Sequence, residues 1–266
     1  MRLAQISDLH IKPVGELAYD SIDTADFLAR AVDGLNALGD QIDAVIATGD
    51  LVDAGRPDEY AHLRTHLDRL AKPCYLMVGN HDARAPLRDA FHDHLYLRDG
   101  GAFVQYAFDV GPLHVIALDS LNDGESSGTL CAARLDWLRT HLEHCRERPV
   151  VIALHHPPFE TGIAEMDSIC LAADDARAFA QIVHAHPNIE RVIAGHVHRA
   201  IVRRFGGTIA STCPSTAHQV ALDFRAHVPL GHIMEPPGFA IHDWQPDRGL
   251  VTHYAPLGQY GKATPY

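Results

Sequence analysis

The stretch Arg2-Leu3-Ala4-Gln5-Ile6-Ser7-Asp8-Leu9-His10 decides how the rest of this chain is read. Its first half is a short apolar run of strand character, and its second half sets a carboxylate and an imidazole two positions apart directly after that run. The arrangement recurs. Ala44 to Ala47 runs into Gly49-Asp50, Tyr75 to Val78 into Gly79-Asn80-His81-Asp82, Val150 to Leu154 into His155-His156, and Arg191 to Ala194 into Gly195-His196-Val197-His198. Open α/β sheets carry their ligand sites at the carboxyl ends of their strands, so these separate motifs can converge on one mouth.

Between these runs, and a further one at Val115 to Leu118, apolar spacing of helical period covers Thr24 to Leu38, Asp58 to Leu70, Ala132 to His144 and Asp174 to His184. Pro57, Pro73, Pro149 and Pro187 punctuate the edges. Buried strands alternating with helices predict a layered α/β sandwich. After Ser211 the pattern changes to short alternating runs at Ala217 to Phe224, Phe239 to Trp244 and Leu250 to Tyr254, with Asp247-Arg248-Gly249 as a hairpin turn. The expected organisation is a catalytic domain over residues 1–210 and a β-rich segment over 211–266 that caps the site or mediates dimerisation, with part of it able to return to the core.

Composition sets the boundaries. A chain of 266 residues with 47% hydrophobic content can bury one principal domain, and no apolar stretch approaches the roughly 20 residues that span a bilayer. A net charge of -12 disfavours a nucleic acid polymer as partner, so an anionic substrate needs a local positive site. Cys74, Cys131, Cys145, Cys170 and Cys213 are widely spaced and form no Cys-x-x-Cys pair, which reads as reduced thiols. Met1 leads straight into a strand pattern without a secretory leader, so the expected location is cytoplasmic.

In extended backbone, residues i and i+2 share a side, so Asp8 with His10, and His196 with His198, can each present paired ligands. Carboxylate, imidazole and one amide oxygen form a mixed hard and borderline donor set suited to Mn, Fe, Co or Zn. Two ions at roughly 3.5–4 Å need a bridging group, and Asp50, midway through the motif series, is the candidate. Two divalent ions, two carboxylates and a hydroxide leave roughly one net positive charge, which suits a singly charged phosphodiester.

The ordered motifs resemble the calcineurin-like metallophosphoesterase superfamily, over a span from Asp8 to His198. More narrowly, His155-His156-Pro157-Pro158-Phe159, Thr161-Gly162-Ile163 and Met166-Asp167 are similar to bacterial class III cyclic nucleotide phosphodiesterases and glycerophosphodiesterases. The resemblance implies a four-layer αββα sandwich holding two divalent or trivalent ions: one on Asp8, His10, Asp50 and His198, the other on Asp50, Asn80, His155 and His196. It implies hydrolysis of a small phosphodiester by in-line attack of a metal-bound hydroxide. His81 would contact the phosphate or assist the leaving group, Asp82 would orient His81, and Tyr19 and His218 are candidate substrate contacts. A homo-oligomer is expected, with no membrane partner.

Two alternatives accompany this reading. A phosphomonoesterase of the same superfamily is disfavoured because Asp50-Leu51-Val52-Asp53-Ala54-Gly55 lacks the Asp-Arg-Gly ending of the serine/threonine phosphatases. A non-catalytic, protein-binding scaffold on the same fold would typically have lost ligands, and no ligand position is missing here. His156 is left out of the ligand set because extended backbone would point it away from His155. Asp53 either steadies the loop or a histidine, or is a solvated turn acid. The pairs His62/His66 and His92/His94, together with His184 and His186, read as solvated helix or loop residues, and Trp137 and Leu138 as core.

Overall fold

Each apolar run that precedes a polar motif is a strand in the computed structural model, which describes residues 1–258, 260, 261, 264 and 265. The first half of the chain contains β1 (Arg2–Ile6), α1 (Thr24–Leu38), β2 (Ala44–Ala47), α2 (Pro57–Leu67), β3 (Cys74–Leu76), α3 (Arg84–Ala90), β4 (Tyr106–Val110) and β5 (Leu113–Ala117). There follow α4 (Ala132–Glu143), β6 (Val150–Ala153), α5 (Ala164–Asp167), α6 (Ala173–His184), β7 (Ile189–Ala194), β8 (Val202–Phe205) and β9 (Thr208–Thr212). The last quarter adds β10 (Gln219–Val220), β11 (His232–Ile233), β12 (Gly238–Gln245) and β13 (Gly249–Pro256).

Two sheets form the centre. One has the order β13-β12-β1-β2-β3, the other β4-β5-β6-β7-β9-β8, and β10 and β11 make a separate two-stranded hairpin. Strands β1, β2 and β3 are mutually parallel, as are β5, β6, β7 and β9, so the motif-bearing carboxyl ends within each sheet lie along one edge. Period-two alternation explains the layering. Val115, Ala117, Val151 and Ala153 join the core shared with the first sheet, α1 and α2. Their neighbours Ile116, Val150 and Ile152 join a second core with Leu135, Leu138 and Leu142 of α4 and Phe179 and Ile182 of α6. Strands β5 and β6 of the second sheet are therefore apolar on both faces, and the result is a four-layer sandwich with helices outside and sheets inside.

Local chemistry starts the helices where the proline and carboxylate signals lie. Asp23 caps α1 by accepting from the Asp26 N–H at 3.0 Å, and Glu59 accepts from the Arg56 N–H at 3.0 Å ahead of Pro57 at the start of α2. Helix α2 ends at Leu67, short of the expected Leu70, because Asp68 to Leu70 close the helix as turns. The periodicity does not reveal β8: its Val202, Arg203 and Arg204 are exposed on an edge strand, so no apolar face marks it.

The division expected at residue 210 falls inside β9, a strand of the second sheet paired with β7 and β8. Beyond it, β12 runs antiparallel to β1 and pairs with β13, so much of the last quarter belongs to the first sheet. A buried polar bolt fixes this return. Gln5 donates to Thr48 Oγ1 and to the Ala194 carbonyl, both at 2.9 Å, and its Oε1 lies 3.0 Å from Nε2 of His242 on β12. Some histidines depart from expectation for packing reasons. His186 is buried, with Nδ1 donating to the Ile182 carbonyl at 2.8 Å, and His62 and His66 are half-buried on α2, one helical turn apart. Among the described residues no helix is long and apolar enough to cross a membrane.

Candidate metal centre

The motif residues leave the strand ends in tight turns rather than in the extended backbone expected for them. Asp8 (φ 55°), His10 (φ 46°), Asp50 (φ 48°), His196 (φ 70°) and His198 (φ 52°) all occupy the left-handed region. For non-glycine residues this costs about 1–3 kcal/mol each and persists only where the surroundings dictate it. Here they do. The Asp8 N–H donates to the Gly49 carbonyl, the Leu9 and His10 N–H groups both donate to the Asp50 carbonyl, and the Gly195 N–H donates to the His155 carbonyl. Four strand-end loops are thereby zipped together in two pairs, and the side chains turn into one space.

Two glycines make room. A Cβ on Gly49, whose φ is +93°, would meet the His155 ring, and a Cβ on Gly79 would meet the same ring and the Asp50 carboxylate.

The donor atoms form two groups that share Asp50. In the first, His10 Nε2 and His198 Nε2 lie 3.1 Å apart, His198 Nε2 is 3.4 Å from Asp8 Oδ1, and His10 Nε2 is 3.8 Å from Asp50 Oδ2. In the second, His155 Nε2 is 3.3 Å from Asp50 Oδ2 and 3.2 Å from Asn80 Oδ1, and His196 Nδ1 is 3.0 Å from the same Asn80 oxygen. Backbone carbonyls set the tautomers. His198 Nδ1 donates to the His218 carbonyl at 3.0 Å and directs a bare Nε2 inward, and His155 Nδ1 donates to the Thr48 carbonyl at 2.8 Å, so that its Nε2 faces Asp50 and Asn80.

These residues fit a pair of cations. The buried carboxylates of Asp8 and Asp50 lie among imidazole nitrogens, and His10 Nδ1 and His196 Nε2 have no hydrogen-bond partner among the described residues. A buried cluster rich in acceptors is unfavourable until positive charge stands among them. Burial pushes the Asp8 carboxyl up to about 6, and pushes His196 and His198 down to about 3, which keeps those two rings neutral and able to ligate. Burial also opposes charge on Asp50 and His155, but their attraction outweighs it, holding the Asp50 carboxyl well below its usual range and raising His155 to about 9.

Around the donors, the structure corrects one expectation. Asp82 does not touch the His81 ring: its carboxylate accepts from the Gly79 N–H at 2.8 Å, the Leu51 N–H at 3.1 Å and the Tyr60 hydroxyl at 2.9 Å. Adjacent side chains diverge at this turn, so Asp82 faces the core and His81 the cavity. The His81 ring is held instead by Nδ1, which donates to the Asp53 carbonyl at 2.7 Å. The Asp53 carboxylate takes the Lys12 ammonium at 2.9 Å and lies 3.6 Å from His10 Nδ1, beyond hydrogen-bond distance. His156 accepts at Nδ1 from the Ser120 hydroxyl (2.8 Å) and donates from Nε2 to the Ser126 carbonyl (3.2 Å), with its ring packed 4.7 Å from that of His196. No motif pointed to Tyr60 or Ser120, whose roles depend on contacts distant in sequence.

The cavity over the donors holds about 220 Å³. On one wall the His218 ring lies 4.8 Å from His198 and 5.2 Å, edge on, from Tyr19, and Tyr19 stacks on His232 at 4.4 Å. His232 carries no sequence signal; the β10–β11 hairpin brings it there. Met166, Ile169, Val220 and Leu230 add apolar lining, and no Lys or Arg among the described residues lines the cavity.

The sequence model of the calcineurin-like phosphoesterase family matches residues 1–200. The chain is 33% identical over 266 residues to a probable glycerophosphodiester phosphodiesterase of Arcobacter nitrofigilis, covering 100% of this chain and 97% of that one. It is 35% identical over 258 residues to a probable cyclic nucleotide phosphodiesterase of Rhodopseudomonas palustris, covering 95% and 91% respectively. A dimetal phosphatase from Danio rerio shares the fold, with a TM-score of 0.66 at 17% identity over 97% of this chain and 99% of that one. Strand-end motifs gathered on one acceptor-rich cluster, and a family match over most of the chain, lead to one assignment: this protein belongs to the calcineurin-like phosphoesterase family, which works through a binuclear metal centre.

Proposed function

We propose that the chain is a metal-dependent phosphodiesterase that hydrolyses small, singly charged diesters such as cyclic nucleotides or glycerophosphodiesters. The observation that carries this reading is the shared carboxylate of Asp50 between two imidazole-rich donor groups, under a cavity with no cationic side chain among the described residues. Asp8, His10, Asp50 and His198 would hold one ion and Asp50, Asn80, His155 and His196 the other, with Mn, Fe, Co or Zn matching these donors. When bound, the pair supplies Lewis acidity toward phosphoryl oxygens and the means to activate water near neutral pH.

The chain's own groups do the rest. The Nδ1–H of His81 is committed to the Asp53 carbonyl, which leaves Nε2 as the nitrogen that gives a proton to the departing oxygen. His218 and Tyr19 contact the substrate's organic part, and Asp82 holds the loops that carry Asp50 and Asn80 rather than the reacting groups. The apolar Met166 and Ile169 exclude water from the part of the cavity they line. The proposal includes a cytoplasmic homo-oligomer, for which the exposed Leu222, Phe224, Leu230 and Met234 supply apolar surface.

The test is turnover of bis(p-nitrophenyl) phosphate, cyclic nucleotides, glycerophosphodiesters and monoesters by protein of measured metal content. Diester hydrolysis abolished by chelation and regained on adding Mn²⁺ is expected. A fully metallated chain inert to every diester overturns the reading. Light scattering that shows a monomer at all concentrations removes the oligomer.

A further inference from the structure

Outside the catalytic cluster, one other pair of imidazoles is set for ligation. His62 and His66 lie one turn apart on α2, both half-buried, with their Nε2 atoms 3.3 Å apart and their ring centroids 5.1 Å apart. His62 Nδ1 donates to the Lys12 carbonyl at 2.7 Å. A carbonyl oxygen can only accept, so the neutral His62 ring carries its proton on Nδ1 and a lone pair on Nε2, facing His66. This is the orientation that outer partners impose on metal-binding histidines. Histidines at i and i+4 on one helix face are a recurrent chelate, and Zn–N bonds of about 2.0–2.1 Å at a tetrahedral angle place their nitrogens roughly 3.3 Å apart.

We propose that His62 and His66 form a second metal site, separate from the catalytic centre, that takes one divalent late transition ion (Zn²⁺, Ni²⁺ or Cu²⁺) with water completing its coordination. Imidazole donors without carboxylate or thiolate select these ions over Mg²⁺ or Ca²⁺. Within the site, His66 moves its proton to Nδ1 and offers Nε2. The ion would join the two turns of α2 that carry His62 and His66, and His62 already links that helix to the loop after His10 through the Lys12 carbonyl.

Equilibrium dialysis against Zn²⁺, with ion content measured by atomic emission, tests the site in the whole chain. The natural chain should retain about one ion more than His66→Gln and than His62→Gln. His66→Gln should keep full diester turnover, which also reports that it is folded. With Cu²⁺ added after the catalytic centre is filled, electron paramagnetic resonance should show nitrogen hyperfine structure that both substitutions abolish. Equal ion content in all three proteins overturns the proposal, and so does a copper signal that survives both substitutions. The difference is read against whatever the catalytic centre holds, so its failure is distinguishable from failure of the diesterase reading.

Discussion

The backbone N–H of His196 donates to the Asp8 carboxylate at 2.9 Å, tying the last motif of the chain to the first across 188 residues. Asp8 therefore does two things: it fixes the left-handed turn of the Gly-His-x-His loop and offers an oxygen to the first donor group. Its burial raises its carboxyl to about 6, above its ordinary value of 3.8, so keeping it ionised at neutral pH weighs against the metal-free fold. That penalty is absent below about pH 4, grows as pH rises toward 6 and is constant above it. Asp8→Asn, which keeps an acceptor oxygen, should melt at the same or higher temperature than the natural chain when metal-free at pH 8, and lower when metal-loaded. Calorimetry that finds the metal-free variant clearly less stable would contradict this account.

Metal binding should release protons. At pH 7.5 the metal-free chain keeps His155 protonated, since its interaction with Asp50 raises it to about 9 against the effect of burial. Ligation requires the neutral ring. Below about pH 6, Asp8 also gains a proton and affinity should fall further, whereas His196 and His198, lowered to about 3, impose no such limit there. Titration calorimetry in buffers of different ionisation enthalpy should show release of about one proton at pH 7.5. Heats independent of the buffer would refute it.

His81→Ala should keep both ions and lose about 10²–10⁴-fold in turnover on diesters with poor leaving groups. The loss should shrink with p-nitrophenol as leaving group, which departs without a proton. Equal losses on both substrates would assign His81 to binding instead of proton transfer.

Tyr60→Phe tests the anchoring of Asp82. The hydroxyl donates to Asp82 at 2.9 Å and accepts from the Ala83 N–H at 2.8 Å, so its removal leaves an N–H without a partner and a buried carboxylate short of one donor. A loss of about 1–3 kcal/mol in denaturant unfolding is expected, with metal content unchanged. A change below about 0.5 kcal/mol would show that the bond contributes little.

Gly79→Ala should cost metal rather than fold. The added methyl would meet the Asp50 carboxylate and the His155 ring, both in the second donor group. The expected result is a chain that remains folded by circular dichroism and retains about one ion or fewer under dialysis. Full occupancy of both positions would show that the loop yields.

The sequence by itself determined which chemistry is present: strand periodicity, the glycines of the Gly-Asp and Gly-Asn-His-Asp turns, and donors at successive strand ends are local signals, readable within a few residues. Only the tertiary structure decided how those donors meet. The left-handed turns at Asp8, His10, Asp50, His196 and His198 arise from hydrogen bonds between loops, which is why extended backbone was the wrong expectation. Asp82 turns toward Tyr60 and away from His81 because the core offers it three donors. The return of β12 to β1 rests on partners such as Gln5 and His242, which are 237 residues apart. A chain's periodicity records which face of an element is buried, whereas contacts of that span depend on how the elements pack together.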